Sequence, residues 1–278
     1  MNILTIDLED WYHPEYVKGS VSTDEEQHIQ SSSNRTLGLL RKYQANATFF
    51  VVGQIAEQHP NIIETIDEQG HEIAFHGYYH KPLWETDAEG LRREIRKFNL
   101  LLDGRCKGFR APSFSLSNST KWALDVLEEA KYLYDSSIFP CRTPLYGVSG
   151  APTEPYKISH EDVTKNDEKG TLWEFPVLTY PLLGLRIPVS GGFYLRTFPL
   201  GLIKKAIQKM NKQDQPAVIY VHNWELDPET PKRNLGLYKS YVTYHNIEKT
   251  EKKLEQLLGD FTFLNFRDYM EERGGFIK

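Results

Sequence analysis

Cysteine is scarce: Cys106 and Cys141 are the only two, far apart and outside any Cys-x-x-Cys pattern. This excludes a disulfide framework and predicts two buried free thiols. Basic runs are missing too. With a formal charge of −5 and no Lys/Arg cluster, neither nucleic acid nor an anionic membrane surface is expected as the main partner. No apolar stretch approaches the roughly 20 residues of a transmembrane helix, so no membrane span is expected. Met1-Asn-Ile-Leu-Thr-Ile6 has neither a basic n-region nor a small-residue cleavage site, which predicts a cytoplasmic, soluble protein. There is no internal repeat and no linker-like composition shift, so residues 1–278 read as a single domain. With 40% hydrophobic and 13% aromatic residues, the chain can bury a substantial core, and disorder is excluded.

The chemistry that is present concentrates in Gly70-His-Glu-Ile-Ala-Phe-His-Gly-Tyr-Tyr-His80. Glu72–Phe75 reads as a short strand, with His76 at its end and His80 four residues on. In an extended chain the two imidazoles would lie about 13 Å apart at roughly 3.3 Å per residue, too far for one ion. A helical turn after His76, which Gly77 permits, brings positions i and i+4 to about 5–6 Å at Cβ. That spacing suits two nitrogens on one divalent metal; two solvated loop histidines are the plain alternative. The stretch lacks the Glu of a His-Glu-x-x-His motif, so a general base has to come from elsewhere.

Residues 2–7 read as a buried strand running into Asp7, Glu9 and Asp10, followed by Trp11, Tyr12 and His13. Residues 18–34 read as a polar loop and Thr36–Tyr43 as a helix. Strands are expected at Ala47–Val52, Lys107–Pro112, Tyr132–Asp135, Leu172–Val177, Ala217–His222 and Phe261–Phe266. Helices are expected over Gln54–Gln69, interrupted or restarted at Pro60, then from an N-cap at Thr86 with Glu89 completing a capping box. Further helices follow Thr120, span Leu202–Met210 and span Ile247–Leu258. Pro140–Lys169 reads as a long loop and Ser190–Tyr194 as a tight turn. Pro176 places the sixth strand at an edge or bulge. This alternation predicts an α/β fold, a nearly closed (β/α) barrel with helices outside. Asp7, His76, Arg110, Asp135 and His222 then fall near strand C-terminal ends, which in such a barrel converge on one mouth.

The set T-I-D-L-E-D-W, T-F-F-V-V-G, F-H-G-Y-Y-H, F-R-A-P-S-F, E-F-P-V and V-H-N-W-E-L-D-P resembles the polysaccharide deacetylases of carbohydrate esterase family 4, the NodB-homology fold. With Gly191-Gly-Phe-Tyr194, the last motif resembles the branch found beside bacterial exopolysaccharide biosynthesis genes. The resemblance runs from Met1 to about Phe266. It implies a distorted, incompletely closed (β/α) barrel of about seven parallel strands, and a metal-dependent N-deacetylase acting on an N-acetylated carbohydrate. It further implies a divalent metal, zinc in the first instance, held by His76, His80 and one acid after the first strand. A second acid there, Asp7, would be the base, Arg110 its partner, and His222 the acid that protonates the leaving amine.

The usual family motif, T-F-D-D-G, has base and ligand adjacent, whereas Asp7 here is followed by Leu8, Glu9 and Asp10. That leaves Glu9 or Asp10 as the acid that completes the metal site with His76 and His80. Strand alternation puts Glu9 on the side of Asp7 and so favours it. Asn223 replaces the usual proline after the last histidine. Glu174 or Asp135 is expected to orient His222. Trp11, Phe114, Tyr194 and Trp224 are expected either to stack on sugar faces or to pack in the core, and His13, His28, His59, His71, His160 and His245 to serve surface or packing roles. An amidohydrolase of small non-sugar amides and a catalytically silent sugar-binding protein are the rival readings.

Overall fold

The computed structural model describes residues 1–19 and 27–274. Its first half runs β1 (Asn2–Leu8), α1 (Ile29–Lys42), β2 (Thr48–Val51), α2 (Gly53–Gln58), α3 (Pro60–Glu68), β3 (Glu72–Phe75), α4 (Ala88–Leu101), β4 (Gly108–Phe109), α5 (Trp122–Glu129) and β5 (Tyr134–Asp135). The second half adds β6 (Tyr156–Lys157), β7 (Trp173–Glu174), the hairpin β8 (Thr179–Leu182) and β9 (Leu185–Pro188), α6 (Gly192–Thr197) and α7 (Leu200–Lys212). It ends with β10 (Val218–His222), α8 (Leu237–Tyr244), α9 (Thr250–Asp260), β11 (Phe263–Leu264) and α10 (Phe266–Arg273).

Nine strands form one curled sheet in the order β10-β1-β2-β3-β4-β5-β7-β6, with β11 also on β1. From β10 to β7 every pairing is parallel, and only β6 is antiparallel. The seam between β7 and β10 carries no ladder. Instead, the Leu178 amide donates to the Val218 carbonyl at 3.0 Å. This is the distorted, open (β/α) barrel of about seven parallel strands that the resemblance implied.

Period-two alternation sorts the strand side chains between two cores. Leu4, Ile6, Leu8, Phe49, Val51, Ile219 and Val221 face the surrounding helices. Ile3, Phe50, Ala74, Val218 and Tyr220 face the barrel interior. Phe266 and Tyr269 of α10 plug that interior, the Phe266 ring lying 4.4 Å from Tyr134. Because both faces of β1 are covered, all seven of its residues are buried. The same alternation turns Thr5 and Asp7 inward, above the apolar plug.

Several local expectations give way to tertiary context. The stretch expected as loop to residue 34 becomes α1 from Ile29, while residues 20–26 lie outside the described residues. Pro60 restarts the helix as expected, at the first position of α3. The chain after His76 is a bend and not a helical turn: Gly77 (φ 71°) and His80 (φ 51°) both take left-handed backbone. The α4 cap is Asp87, whose Oδ1 accepts from Gly90 at 2.7 Å, and not Thr86. The strands expected at 107–112 and 261–266 shrink to two residues each. The second is followed at once by α10, capped by Asn265. The long loop holds β6, so β6 and not β7 is the sheet edge. Gly192 opens α6 where a turn was expected, and the β8–β9 hairpin and α8 have no counterpart in the sequence reading. Cys106 and Cys141 are buried and free.

Candidate active site

The strand ends on which the polar residues were expected to converge do converge. β1 and β10 pair in register with Asp7 opposite His222, and His76 and Arg110 directly follow the last residues of β3 and β4. Arg110, fully buried, donates from Nη1 to Asp7 Oδ1 at 2.6 Å and to Thr5 Oγ1 at 2.9 Å. Its remaining donors reach the Ser136 carbonyl and hydroxyl, both at 2.9 Å, and its guanidinium lies 4.1 Å over the Phe50 ring. Four of its five N–H donors are thus committed, and Asp7 is fixed by a group that cannot rotate away.

Glu9, one residue beyond β1 and on the Asp7 side, gathers the imidazoles. Its Oε2 lies 2.8 Å from His80 Nε2, and its Oε1 accepts from Trp224 Nε1 at 3.1 Å and lies 3.4 Å from His222 Nε2. His76 donates from Nδ1 to the Arg110 carbonyl at 2.8 Å, which turns its Nε2 toward Asp7 Oδ2, 3.9 Å away. Ligand atoms of Glu9, His76 and His80 all lie within 4.8 Å of one another. Burial works to raise the Glu9 carboxyl, but the fields of His80 and His222 outweigh it and hold it well below the usual carboxylate range. Burial pushes His76 down to about 4, helped by His80 and opposed by Asp7, so its ring is neutral at pH 7. Glu9 Oε2, 2.8 Å from His80 Nε2, and His80 Nδ1 are both buried without a hydrogen-bond partner. One carboxylate, a neutral imidazole aimed by a carbonyl, and an unsatisfied oxygen make a donor set that fits a divalent metal such as zinc.

Asp10 points elsewhere. It is buried, but its Oδ1 accepts from the amides of Trp11 (2.9 Å) and His28 (3.2 Å) at the start of α1, where burial raises its carboxyl to about 6. It therefore does not join the donor cluster, held away by the amides of Trp11 and His28. Asn223 binds the turn together, accepting from the Glu9 amide at 3.0 Å and donating to Ser32 Oγ at 2.7 Å.

His222 is anchored by a residue that the sequence reading passed over. Glu225, at the end of a 3-10 turn after β10, accepts at Oε2 from His222 Nδ1 at 2.8 Å and from the His222 amide at 3.1 Å. Glu225 is in turn paired with buried Arg196 of α6, which also donates to the carbonyls of Val242, Thr243 and His245 at the end of α8. Only glycine fits at position 192, where a Cβ would overlap the Glu225 carboxylate. Burial favours a protonated Glu225, but Arg196 and His222 outweigh it and bring the carboxyl to about 2. Burial likewise favours a neutral His222, but Glu225 and Glu9 lift it to about 9.

The expected partners of His222 are not beside it. Asp135 accepts from Ser137 Oγ at 2.5 Å and Glu174 from the Ile138 amide at 3.0 Å. Both acids are wholly buried, and both are pushed up by burial, Glu174 also by its neighbour Asp135. They support the Ser136–Ile138 strand end that holds Arg110 and the Ala111 amide, the latter donating to Ser137 Oγ at 2.8 Å.

A cavity of about 390 Å³ opens over these groups, with Asp7, Glu9, His76, His80 and His222 at its floor. Phe114, Tyr194 and Trp224 line it while also packing in the buried clusters around it, and Trp224 stacks on His222 at 5.4 Å between centroids. Trp11 does not reach it. The chain turns at Trp11, which packs with Val17, Trp224 and Ile247 behind the site. His13 is half-buried, its ring 5.5 Å from His80. Among the described residues, no helix is long and apolar enough to cross a membrane.

Residues 20–133 match the family profile described as polysaccharide deacetylase, and residues 136–271 match one described as a domain of unknown function, DUF3473. Asp7 and Glu9 precede both matches, His76, His80 and Arg110 fall in the first, and Arg196, His222 and Glu225 in the second. The chain is similar to a peptidoglycan-N-acetylglucosamine deacetylase of Bacillus cereus, 33% identical over 96 residues, which are 33% of this chain and 35% of that protein. It is also similar to a chitooligosaccharide deacetylase of Rhizobium leguminosarum bv. trifolii, 28% identical over 101 residues, or 35% of this chain and 45% of that protein. The matched segments thus span between a third and a half of these relatives. A solved structure described as a candidate polysaccharide deacetylase of Mycobacterium smegmatis has the same fold. It superimposes with a TM-score of 0.56 at 20% identity, covering 98% of this chain and 88% of that one.

Proposed function

Because this chain carries a polysaccharide deacetylase domain of the carbohydrate esterase family 4, NodB-like kind, we propose that it hydrolyses N-acetyl groups from an N-acetylated glycan, in exopolysaccharide synthesis or modification, as one functional unit spanning residues 1–278. The observation that carries this reading is the placing of an Arg-held carboxylate and a Glu-held imidazole on either flank of one metal-type donor set. Asp7 is next to His76, and His222 is next to Glu9.

Glu9, His76 and His80 would hold the divalent metal, zinc by donor type. When bound, it polarises the acetyl carbonyl and lowers the pKa of a water toward about 7. Asp7, oriented by Arg110, takes the proton from the attacking water. Addition to the carbonyl gives a tetrahedral oxyanion. His222, whose Nδ1 is committed to Glu225, presents Nε2 to the cavity and gives its proton to the departing amine as the C–N bond breaks. The products are acetate and a free amine. General acid and base help of this kind is typically worth about 10²–10⁴-fold per group. Phe114, Tyr194 and Trp224 supply flat apolar faces against which a sugar ring can lie.

Acetate release over a panel of N-acetylated glycans, with the Asp7→Asn protein as control, tests the reading. Metal-dependent release that vanishes in the variant is expected. Turnover of ureido acids instead would point to a small-amide hydrolase, and bound metal without turnover of any acetylated glycan to a silent sugar-binding protein.

A further inference from the structure

Aromatic contacts link several walls of the cavity. Tyr16, in the turn after β1, meets Tyr238 of α8 across the opening, with ring centroids 6.0 Å apart. One helical turn on, Tyr241 contacts Phe193 of α6 at 6.0 Å, and Phe193 contacts Tyr194 at 5.2 Å. Behind them Phe139 joins Tyr194 (6.1 Å) to Tyr146 (5.2 Å), and Tyr146 reaches Phe114 at 5.3 Å. Ser113, His80 and Pro14–Glu15 also line the cavity. The aromatic residues that meet here come from five separate stretches of chain, so the collar is a product of the fold and not of one loop.

A collar has a consequence for the shape of what can bind. A linear glycan recognised in its middle must enter on one side of the reacting unit and leave on the other, which requires a groove open at both ends. Here one such exit, between the turn after β1 and α8, is crossed by the Tyr16–Tyr238 contact, while Phe114 and Tyr146 belong to the packed wall. The space inside, about 390 Å³, lies at the small end of the roughly 300–1,000 Å³ range of small-molecule pockets. It suits a chain terminus and not a run of sugars passing through. Burying a terminal unit among aromatic walls also supplies the apolar contact that sugar faces favour.

We infer that the site takes the end of a glycan, inserted end-on, and that Tyr16 and Tyr238 set this selectivity by closing the cleft. This inference rests on reading the cavity as an N-deacetylase site. The two side chains sit at the rim, Tyr238 being 57% exposed, so removing them should leave the folded core intact.

The test uses the metal-loaded full chain and a tetramer of N-acetylglucosamine, unmodified or carrying a bulky fluorophore at one end or the other. Calorimetry reads binding, and tandem mass spectrometry reads which unit loses its acetyl group. A cap on one end should weaken binding at least tenfold while a cap on the other is tolerated, and only a terminal unit should be deacetylated. The Tyr16→Ala/Tyr238→Ala protein should accept both capped tetramers and begin to deacetylate internal units. Equal binding of both capped forms by the unaltered protein, or internal deacetylation by it, overturns the end-on inference and leaves the deacetylase reading standing. Binding of none of the tetramers, with no acetate released, overturns the sugar-deacetylase reading itself and this inference with it.

Discussion

Glu225 grips His222 twice, through the ring Nδ1 at 2.8 Å and through the backbone amide at 3.1 Å. The carboxylate thereby fixes both the tautomer of the imidazole and the angle at which it leaves the strand. A positioning group of this kind acts on the reaction through another residue, so its removal should be felt in turnover and not in substrate affinity.

Glu225→Gln keeps the size of the side chain but removes its charge, leaving Arg196 buried beside an amide. We expect kcat to fall by about 10²-fold, toward the lower end of what a general acid contributes, with KM nearly unchanged. The alkaline limb of the pH–rate profile should move to lower pH, because Glu225 is one of the charges that raise His222. Steady-state kinetics from pH 6 to 10 check both. A profile that keeps its shape with unaltered kcat would remove Glu225 from the mechanism.

Asp7→Asn should retain the metal and lose turnover by about 10²-fold or more. Asp7 faces Arg110 at 2.6 Å, and its nearer approach to the donor cluster is 3.9 Å. Elemental analysis beside an acetate assay separates the outcomes. Loss of the ion would make Asp7 a ligand.

Glu9→Gln should weaken zinc binding at least tenfold, about 1.4 kcal/mol, and His76→Ala or His80→Ala should do so more strongly. Asp10→Asn should leave zinc affinity near that of the unaltered protein, because its carboxyl faces the start of α1 and not the donor cluster. Stability at pH 7 should hold or rise, because Asn keeps an oxygen for the Trp11 and His28 amides and removes a carboxylate that burial pushes up to about 6. Zinc titration calorimetry on the variants decides between the two acids. A large loss for Asp10→Asn with Glu9→Gln intact would exchange them.

Stability should fall in mild acid through His71. This ring is 3% exposed, its Nε2 has no partner, and burial pushes it down to about 4. The unfolded chain takes up a proton at the ordinary histidine value near 6.5, while the folded chain resists until about 4. The stabilisation is therefore complete above pH 6.5 and is lost progressively as pH drops toward 4, up to about 3 kcal/mol. Denaturant unfolding at pH 7.5 and 5 should show the difference, and His71→Phe should reduce it.

The legible part of this site was what sits on strands. Asp7, His76, Arg110 and His222 each close an apolar run, and the alternation that separates Glu9 from Asp10 is a property of any extended backbone. What escaped was set by turns and by distance along the chain. Trp11 follows acids as a sugar platform would, yet the bend at residues 11–12 carries it behind the site. Asp135 and Glu174 end strands near the mouth, but their carboxyls turn back to Ser137 and the Ile138 amide. The spacing of His222 and Glu225 offered a faint signal, since one 3-10 turn brings residues three apart together. Arg196 offered none, being 29 positions from the carboxylate it pairs with.

The register of Asp7 against His222 also bears on how the protein comes to exist. The two residues lie more than two hundred positions apart, and β1 joins β2 on one side and β10 on the other. Contacts this distant in sequence carry a large loop-closure cost and tend to make folding slow. A growing chain would carry β1 with one flank unpaired until β10 has been synthesised, leaving a sticky edge exposed during translation. Refolding experiments should therefore recover helical signal well before hydrolytic competence. A fragment limited to residues 20–133 would hold His76, His80 and Arg110 but lack Asp7, Glu9, His222 and Glu225.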